Sequence, residues 1–357
     1  MKKIDEIDSN FSVSSIDGYD LVFRDARSLP FKIYGEAVES STGSPFCRLP
    51  LLEGVNGGVN WLSWNTSGLK VRFCTDSPYI AIYAETGDAC HMAHMTLAGS
   101  CGFDLYRFNG KEEEFIRAFI PPTGICHGQH HYHSIIRLSD KKTEPAYYTI
   151  YFPLYNRVSK LDIGLSPDAT LGEGAPFSIE APIVYYGSSI TQGGCASRPG
   201  NAYPALITHK TNIDHINLGF SGACVAEPEM AEFIASLKMS AFIYDYDYNA
   251  PTTEYLKETH EPFFKQIRKT HPYLPVIMLS APYCAKDGDD RTRRDIIKAT
   301  YDNAIAKCDK NVYFIDGGSV YNGLFRDACS VDGVHPNDLG FAKIAESILS
   351  VINTINI

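Results

Sequence analysis

The chain has no Cys-x-x-Cys pair, although its 357 residues include ten cysteines at irregular distances. That argues against a structural zinc site and, in a chain this long, reads as reduced thiols and not as a disulfide framework. No apolar run approaches the roughly 20 residues of a membrane span. Basic residues are outnumbered, and the net charge of −10 argues against nucleic acid and anionic membrane surfaces as partners. The opening Met1-Lys2-Lys3-Ile4-Asp5-Glu6-Ile7-Asp8 turns acidic at once and lacks the apolar core of a signal peptide, so a cytoplasmic location is expected. Low-complexity tracts and internal repeats are missing as well.

Apolar content of 44% and charged content of 21% are those of an ordinary globular protein. The length exceeds a single average core, which predicts two domains. Helical periodicity is nearly absent between about residues 10 and 180. Instead Val71-Arg72-Phe73 and Tyr79-Ile80-Ala81-Ile82-Tyr83 alternate with a period of two, as strands do. Asp104–Phe108 and Phe115–Phe119 flank an Asn109-Gly110 step, a hairpin signal, and Tyr147–Phe152 reads as a further strand. This half is expected to be a β-sandwich of jelly-roll type.

Asp168 to Pro176, rich in Gly, Pro and Ala, reads as a linker. Beyond it strand patterns at Ile183–Tyr186, Ile213–Leu218, Ala241–Tyr246, Val276–Ser280 and Val312–Asp316 alternate with helical ones near Ala202–Lys210, Glu229–Leu237, Tyr255–Thr270, Arg291–Cys308 and Leu339–Val351. Such alternation predicts a doubly wound parallel sheet in an α/β domain. The expected division is residues 1–176 and 177–357.

Two segments of the second half carry chemistry. Tyr186-Gly187-Ser188-Ser189-Ile190-Thr191-Gln192-Gly193 breaks a strand with a glycine and hydroxyl residues, and Asp332-Gly333-Val334-His335-Pro336 sets an acid three residues before an imidazole. A serine hydroxyl is a weak nucleophile at neutral pH and needs a base to take its proton. An imidazole acts as that base when a carboxylate fixes its tautomer, and Asp332 can reach His335 within one turn. Ser189 must then come from elsewhere, and an open α/β sheet gathers such loops at one edge.

The first segment resembles block I of the SGNH (GDSL-type) hydrolases, and the second resembles their last block. Asn217-Leu218-Gly219-Phe220-Ser221-Gly222 is similar to block II, and Asp245-Tyr246-Asp247-Tyr248-Asn249-Ala250 stands where block III belongs. Gly102-Phe103-Asp104-Leu105-Tyr106 matches the Gly-x-Asp-Leu-Tyr signature of a β-domain that precedes SGNH domains in one subfamily. The resemblance implies a flavodoxin-like three-layer catalytic domain, a Ser189–His335–Asp332 triad, and an oxyanion hole from the Ser189 and Gly222 N–H groups and the Asn249 amide. It implies no cofactor and no metal. It further implies a serine esterase removing short acyl groups, acetyl above all, from a carbohydrate; an acyltransferase and a decayed carbohydrate-binding protein are the rivals. Two departures stand out: Ser188 replaces the usual Asp before the nucleophile, so two serines compete, and block III lacks its glycine.

Other residues weigh less. Arg198 stands in the segment after the nucleophile turn, as either a substrate contact or a helix cap, and Tyr248 as either a sugar-stacking ring or strand packing. Cys126-His127-Gly128-Gln129-His130-His131-Tyr132-His133 invites a metal reading, but its spacing fits no zinc pattern and a loop or strand edge is expected. His91 and His94 read as structural, and Trp61 and Trp64 as sandwich core. The edge strands of the sandwich are compatible with a homodimer.

Overall fold

Among the described residues of the first half, period-two patterning with β-branched and aromatic residues builds ten antiparallel strands. They are β1 (Val22–Asp25), β2 (Lys32–Tyr34), β3 (Lys70–Thr75), β4 (Tyr79–Thr86), β5 (Phe103–Phe108), β6 (Glu113–Phe119), β7 (His131–Arg137), β8 (Ala146–Tyr151), β9 (Val158–Leu165) and β10 (Leu171–Glu173). The computed structural model describes residues 16–38, 46–89, 92–138, 144–282 and 288–355. The opening segment that reads as unlike a signal peptide, and His91, lie outside the described residues.

One sheet runs β1-β9-β4-β7; the other runs β10-β3-β8-β5-β6, with β2 also paired to β3. Ile82 and Ile163 of the first sheet share a fully buried core with Val71, Leu105 and Ile150 of the second, so the two sheets stack face to face. The Asn109-Gly110 step turns the β5–β6 hairpin: Gly110 takes a φ of +95°, and Asn109 Oδ1 accepts the Lys111 and Glu112 N–H groups. Part of the expected linker is itself a strand, since Leu171–Glu173 pairs with Phe73–Thr75. Trp61 and Trp64 are not core. They lie on and just after a short helix, Gly57–Leu62, which buries Val59 and Leu62 and leaves Trp61 71% exposed, while Arg157 covers the Trp64 ring.

The second half is built on five parallel strands, β11 (Ile183–Gly187), β12 (His215–Gly219), β13 (Ala241–Asp245), β14 (Val276–Leu279) and β15 (Val312–Ile315), in the order β12-β11-β13-β14-β15. This is the flavodoxin-like order, with its switch point where β11 lies between β12 and β13. Helices cover both faces, and the strands are buried throughout their centre: Val184 and Tyr186 face one core, Ile183 and Tyr185 the other.

The two halves meet through buried polar side chains. Asp104 of the Gly-x-Asp-Leu-Tyr segment, 0% exposed, accepts from Arg198 Nη1 at 2.8 Å and from the Gly200 N–H at 2.9 Å. Tyr106 hydrogen-bonds the same guanidinium, and its ring stacks on His209 with centroids 4.0 Å apart. Glu113 accepts from His209 Nδ1, Tyr151, Thr149 and Arg72. Lys70 reaches Asp214 at 2.6 Å, and Arg48 Nη1 donates to the carbonyls of Asn217 and Gly219. Burial raises the Asp104 carboxyl, and Arg198 and the Gly200 N–H offset this only in part. Removing the arginine therefore strands a buried acid. Arg198→Ala is expected to lower stability by about 2–4 kcal/mol in urea unfolding, and Tyr106→Phe by about 1 kcal/mol. An unchanged midpoint in Arg198→Ala would remove the junction from the list of stabilising contacts.

Candidate active site

Residues at the carboxyl end of β11 must turn sharply, and Gly187 is what permits it. A Cβ there would stand 2.1 Å from Thr191 Oγ1 and 2.7 Å from the Asp245 carbonyl oxygen. The chain then enters a four-residue helix, Ser189–Gln192, for which Ser188 is the N-cap: its Oγ accepts the Ile190 N–H at 3.2 Å. Serine serves this cap as an aspartate would, so the change at 188 leaves the turn's local chemistry in place. Ser189 is the first helical residue, with its own N–H unused by the helix.

Strand register sets the neighbours. Gly187 lies level with Gly219 of β12 and Asp245 of β13, so Ser189, Gly222 and Asn249 all emerge just beyond one edge of the sheet. Gly222 takes a φ of +70°, and its N–H has no acceptor among the described residues. Asn249 is half-buried, its Oδ1 is buried without a partner, and its Nδ2 makes no hydrogen bond among the described residues. Its amide is thus free of protein partners among the described residues, at the sheet edge where Ser189 emerges.

His335 arrives from the other end of the domain on a tight loop. Asp332 Oδ1 accepts the N–H groups of Val334 at 2.9 Å and His335 at 2.7 Å, with Gly333 at a φ of +89° between them. The loop is tied by the Val331 N–H to the His335 carbonyl, and it feeds the last helix, Asp338–Ile352, capped by Asn337. Asp332 Oδ2 lies 2.7 Å from His335 Nδ1, and Ser189 Oγ lies 3.0 Å from His335 Nε2. Burial would raise the Asp332 carboxyl, but the hydrogen bonds from His335 and Val334 outweigh it and hold the group down at about 2. In such a series the imidazole can take the hydroxyl's proton while the ionised carboxylate fixes its tautomer and stabilises the imidazolium.

Arg198 is engaged by Asp104 and Tyr106, and its guanidinium lies 3.7 Å over the Phe115 ring; it makes no side-chain helix cap. Tyr248 is half-buried and donates to the Pro282 carbonyl. Other neighbours of the site carried no sequence signal. Tyr155 of the β half donates to the Ser189 carbonyl at 3.3 Å, and the His94 ring centroid lies 5.7 Å from that of His335. Beneath the turn, Asp245 accepts from Thr191 at 2.8 Å and Tyr203 at 3.2 Å. Arg293 donates to the carbonyls of Asp247 and Ala250, closing the loop that carries Asn249.

Residues 180–353 match the family model for GDSL-like lipase/acylhydrolases, and residues 21–171 match that for the N-terminus of SGNH-hydrolase-type esterases, GxDLY. The α/β half belongs to the GDSL-like lipase/acylhydrolase family. That match, together with esterase structural neighbours, supports an esterase/acylhydrolase activity. A solved structure from Bacteroides ovatus ATCC 8483, described as a GDSL-like lipase, is 28% identical, with a TM-score of 0.81 over 94% of this chain and 98% of that one. The salicylyl-acyltransferase of a tetracycline biosynthetic pathway shares the fold at 17% identity and a TM-score of 0.72, over 94% and 98%. An acetyl xylan esterase from the rumen bacterium Butyrivibrio proteoclasticus shares it at 14% identity and 0.57, again over 94% and 98%. No curated protein sequence matches the chain. The GxDLY match gives the Asp104 and Tyr106 contacts a context: the signature residues of the β half grip the loop that follows Ser189 in this GDSL-like half.

Burial raises the Asp245 carboxyl from its ordinary 3.8 to about 7, although Thr191 and Tyr203 pull it down. Between about pH 4 and 7 the native state therefore keeps a proton that the unfolded chain has released, and stability falls as pH rises through that window. Asp245→Asn removes this titration. Its melting temperature relative to wild type is expected to climb by roughly 5 °C between pH 4 and pH 7 and to stay level above. A pH-independent difference in thermal melts would mean that Asp245 ionises as an ordinary carboxylate.

Proposed function

We propose that the chain is a metal-independent serine carboxylester hydrolase that removes short acyl groups, acetyl above all, from a carbohydrate. The observation that carries this reading is the continuous Ser189–His335–Asp332 hydrogen-bond series at 3.0 and 2.7 Å. Ser189 Oγ attacks the ester carbonyl while His335 Nε2 takes its proton, and Asp332 holds the Nδ1–H and steadies the imidazolium. The oxyanion rests on the N–H groups of Ser189 and Gly222 and the Asn249 amide, three donors that have no acceptor within the described protein. His335 then returns its proton to the departing sugar hydroxyl. Water, deprotonated by the same imidazole, splits the acyl-enzyme to free carboxylic acid and serine.

The acetyl and sugar parts of the reading are supported by the shared fold with the acetyl xylan esterase. Hydrolysis is favoured over transfer by access of water: the Asp332 and His335 side chains are 38% and 25% exposed, whereas a transferase must keep water from its acyl-enzyme. Ser189 and His335 are both in place and hydrogen-bonded, which weighs against a decayed site. The proposal extends to a division into domains at residues 176 and 177, a jelly-roll arrangement of the first, Tyr248 as a sugar contact, and a homodimer. It also includes a cytoplasmic location, supported by the free thiols of the eight cysteines among the described residues. No helix among the described residues is long and apolar enough to cross a membrane.

Hydrolysis of p-nitrophenyl acetate, butyrate and octanoate tests the reading. Acetate is expected to be the best substrate, with Ser189→Ala reducing kcat by about 10³-fold or more. Asn249→Ala is expected to cost roughly 10²-fold in kcat. Ser188→Ala is expected to keep its activity and lose about 1 kcal/mol of stability with its cap. If Ser188→Ala abolished turnover and organophosphonate labelling while Ser189→Ala did not, the nucleophile assignment would be wrong.

A further inference from the structure

The histidine-rich segment at residues 126–133 does not assemble a ligand set, but two members of the triad with His94 do. Among the described residues, one grouping of three or more histidine, cysteine or carboxylate side chains can converge on a metal ion: His94, Asp332 and His335. One donor atom from each lies within 4.8 Å of the other two. His94 is supplied by the β half, from the segment just before the helix Leu97–Cys101, and it faces His335 with the ring planes inclined by 43°. His94 and Asp332 are exposed and His335 is half-buried, so an ion reaches them directly from solvent.

We propose that His94, Asp332 and His335 form an inhibitory site for a borderline divalent transition ion such as Zn²⁺, and that its occupancy switches the esterase off. Two imidazoles and a carboxylate are the donor set that zinc takes, with water completing the tetrahedron. Bonds of 2.0–2.1 Å require donors about 3.3 Å apart, so the exposed His94 side chain must move inward by an ångström or so. The site is therefore poised and not preformed, and the ion is a reversible ligand and not a cofactor. Asp332 lies on the Nδ1 side of His335, so an ion shared between them takes Nδ1 in place of the 2.7 Å hydrogen bond. The single ring proton then resides on Nε2, which has no lone pair left to receive the Ser189 proton, and the base is disabled.

The inhibition rests on the triad assigned above, whereas the binding does not, and the test separates them. With chelated protein as reference, ZnCl₂ at roughly 100 µM is expected to lower p-nitrophenyl acetate hydrolysis at least about tenfold, reversibly on adding EDTA. His94→Ala and His94→Gln, each compared with its own metal-free rate, are expected to shift the half-inhibitory zinc concentration upward by about tenfold or more. His131→Ala/His133→Ala is expected to leave it unchanged. Calorimetry on Ser189→Ala, which keeps all three ligands, should show one zinc equivalent that disappears in Ser189→Ala/His94→Ala. If chelated wild type hydrolyses no ester while this calorimetric difference stands, the esterase reading fails and the metal site survives. Equal zinc sensitivity in the His94 variants, relief by the His131/His133 variant, or no His94-dependent heat overturns the site.

Discussion

Everything in the site depends on how the β half is fixed to the sheet, and the fixing contact is a buried carboxylate. Asp104 binds both a side chain, Arg198, and a backbone N–H, Gly200, of the loop that leaves the Ser189 turn. An apolar interface of equal area would tolerate sliding. Charged hydrogen bonds with set directions do not, because a small shift leaves a desolvated charge unpaired. The β half therefore holds Tyr155 against the Ser189 carbonyl and His94 opposite His335 in one arrangement. Glu113 repeats the device nearby. Burial works against its charge, but His209 and Arg72 hold it down at about 2, so it stays ionised at the junction.

The second constraint is the level register of β11, β12 and β13. Parallel strands that end together leave their loops at one height, and short loops then have few places to go. Ser189 follows its strand by two residues, Gly222 by three and Asn249 by four. The loop after β12 is tied to the Ser189 turn, the Phe220 N–H donating to the Gly187 carbonyl and the Ser221 N–H to Gln192 Oε1. Below them Asp245, Thr191 and Tyr203 form a hydrogen-bonded base under the turn. Arg293 spans the Asp247 and Ala250 carbonyls in the same layer, so the absent block III glycine is met by a clamp from an outlying helix.

Much of this was legible in the sequence because it is written in short range. The five parallel strands and the long helices stand within one to three residues of their expected limits, since each carries its own periodicity and punctuation. Asp332 and His335 are three residues apart and meet for that reason alone. The misreadings share a different cause. Gly57–Leu62 is too short to display a helical period, so no local pattern separates Trp61 and Trp64 from the core they do not enter. Leu171–Glu173 owes its strand to the free edge of β3 and not to its own composition. Arg198 meets an acid 94 positions earlier, and no local pattern announces a partner at that distance.

Histidines show the same division most sharply. Four of them crowd one strand and its approach, where alternation along β7 turns His131 and His133 outward beside Tyr83. Proximity in sequence there disperses donors over a sheet surface. His94 belongs to no such cluster, having only His91 near it in sequence, yet the fold carries it to the imidazole and carboxylate of the opposite half. The rigid junction that makes the triad accessible and fixed in place thus also makes it a ligand set. An open base with a carboxylate at one nitrogen differs from a metal site chiefly in whether a third donor stands near. Here the β half provides one, in His94, so the contact that fixes the two halves together also leaves the base open to competition by an ion.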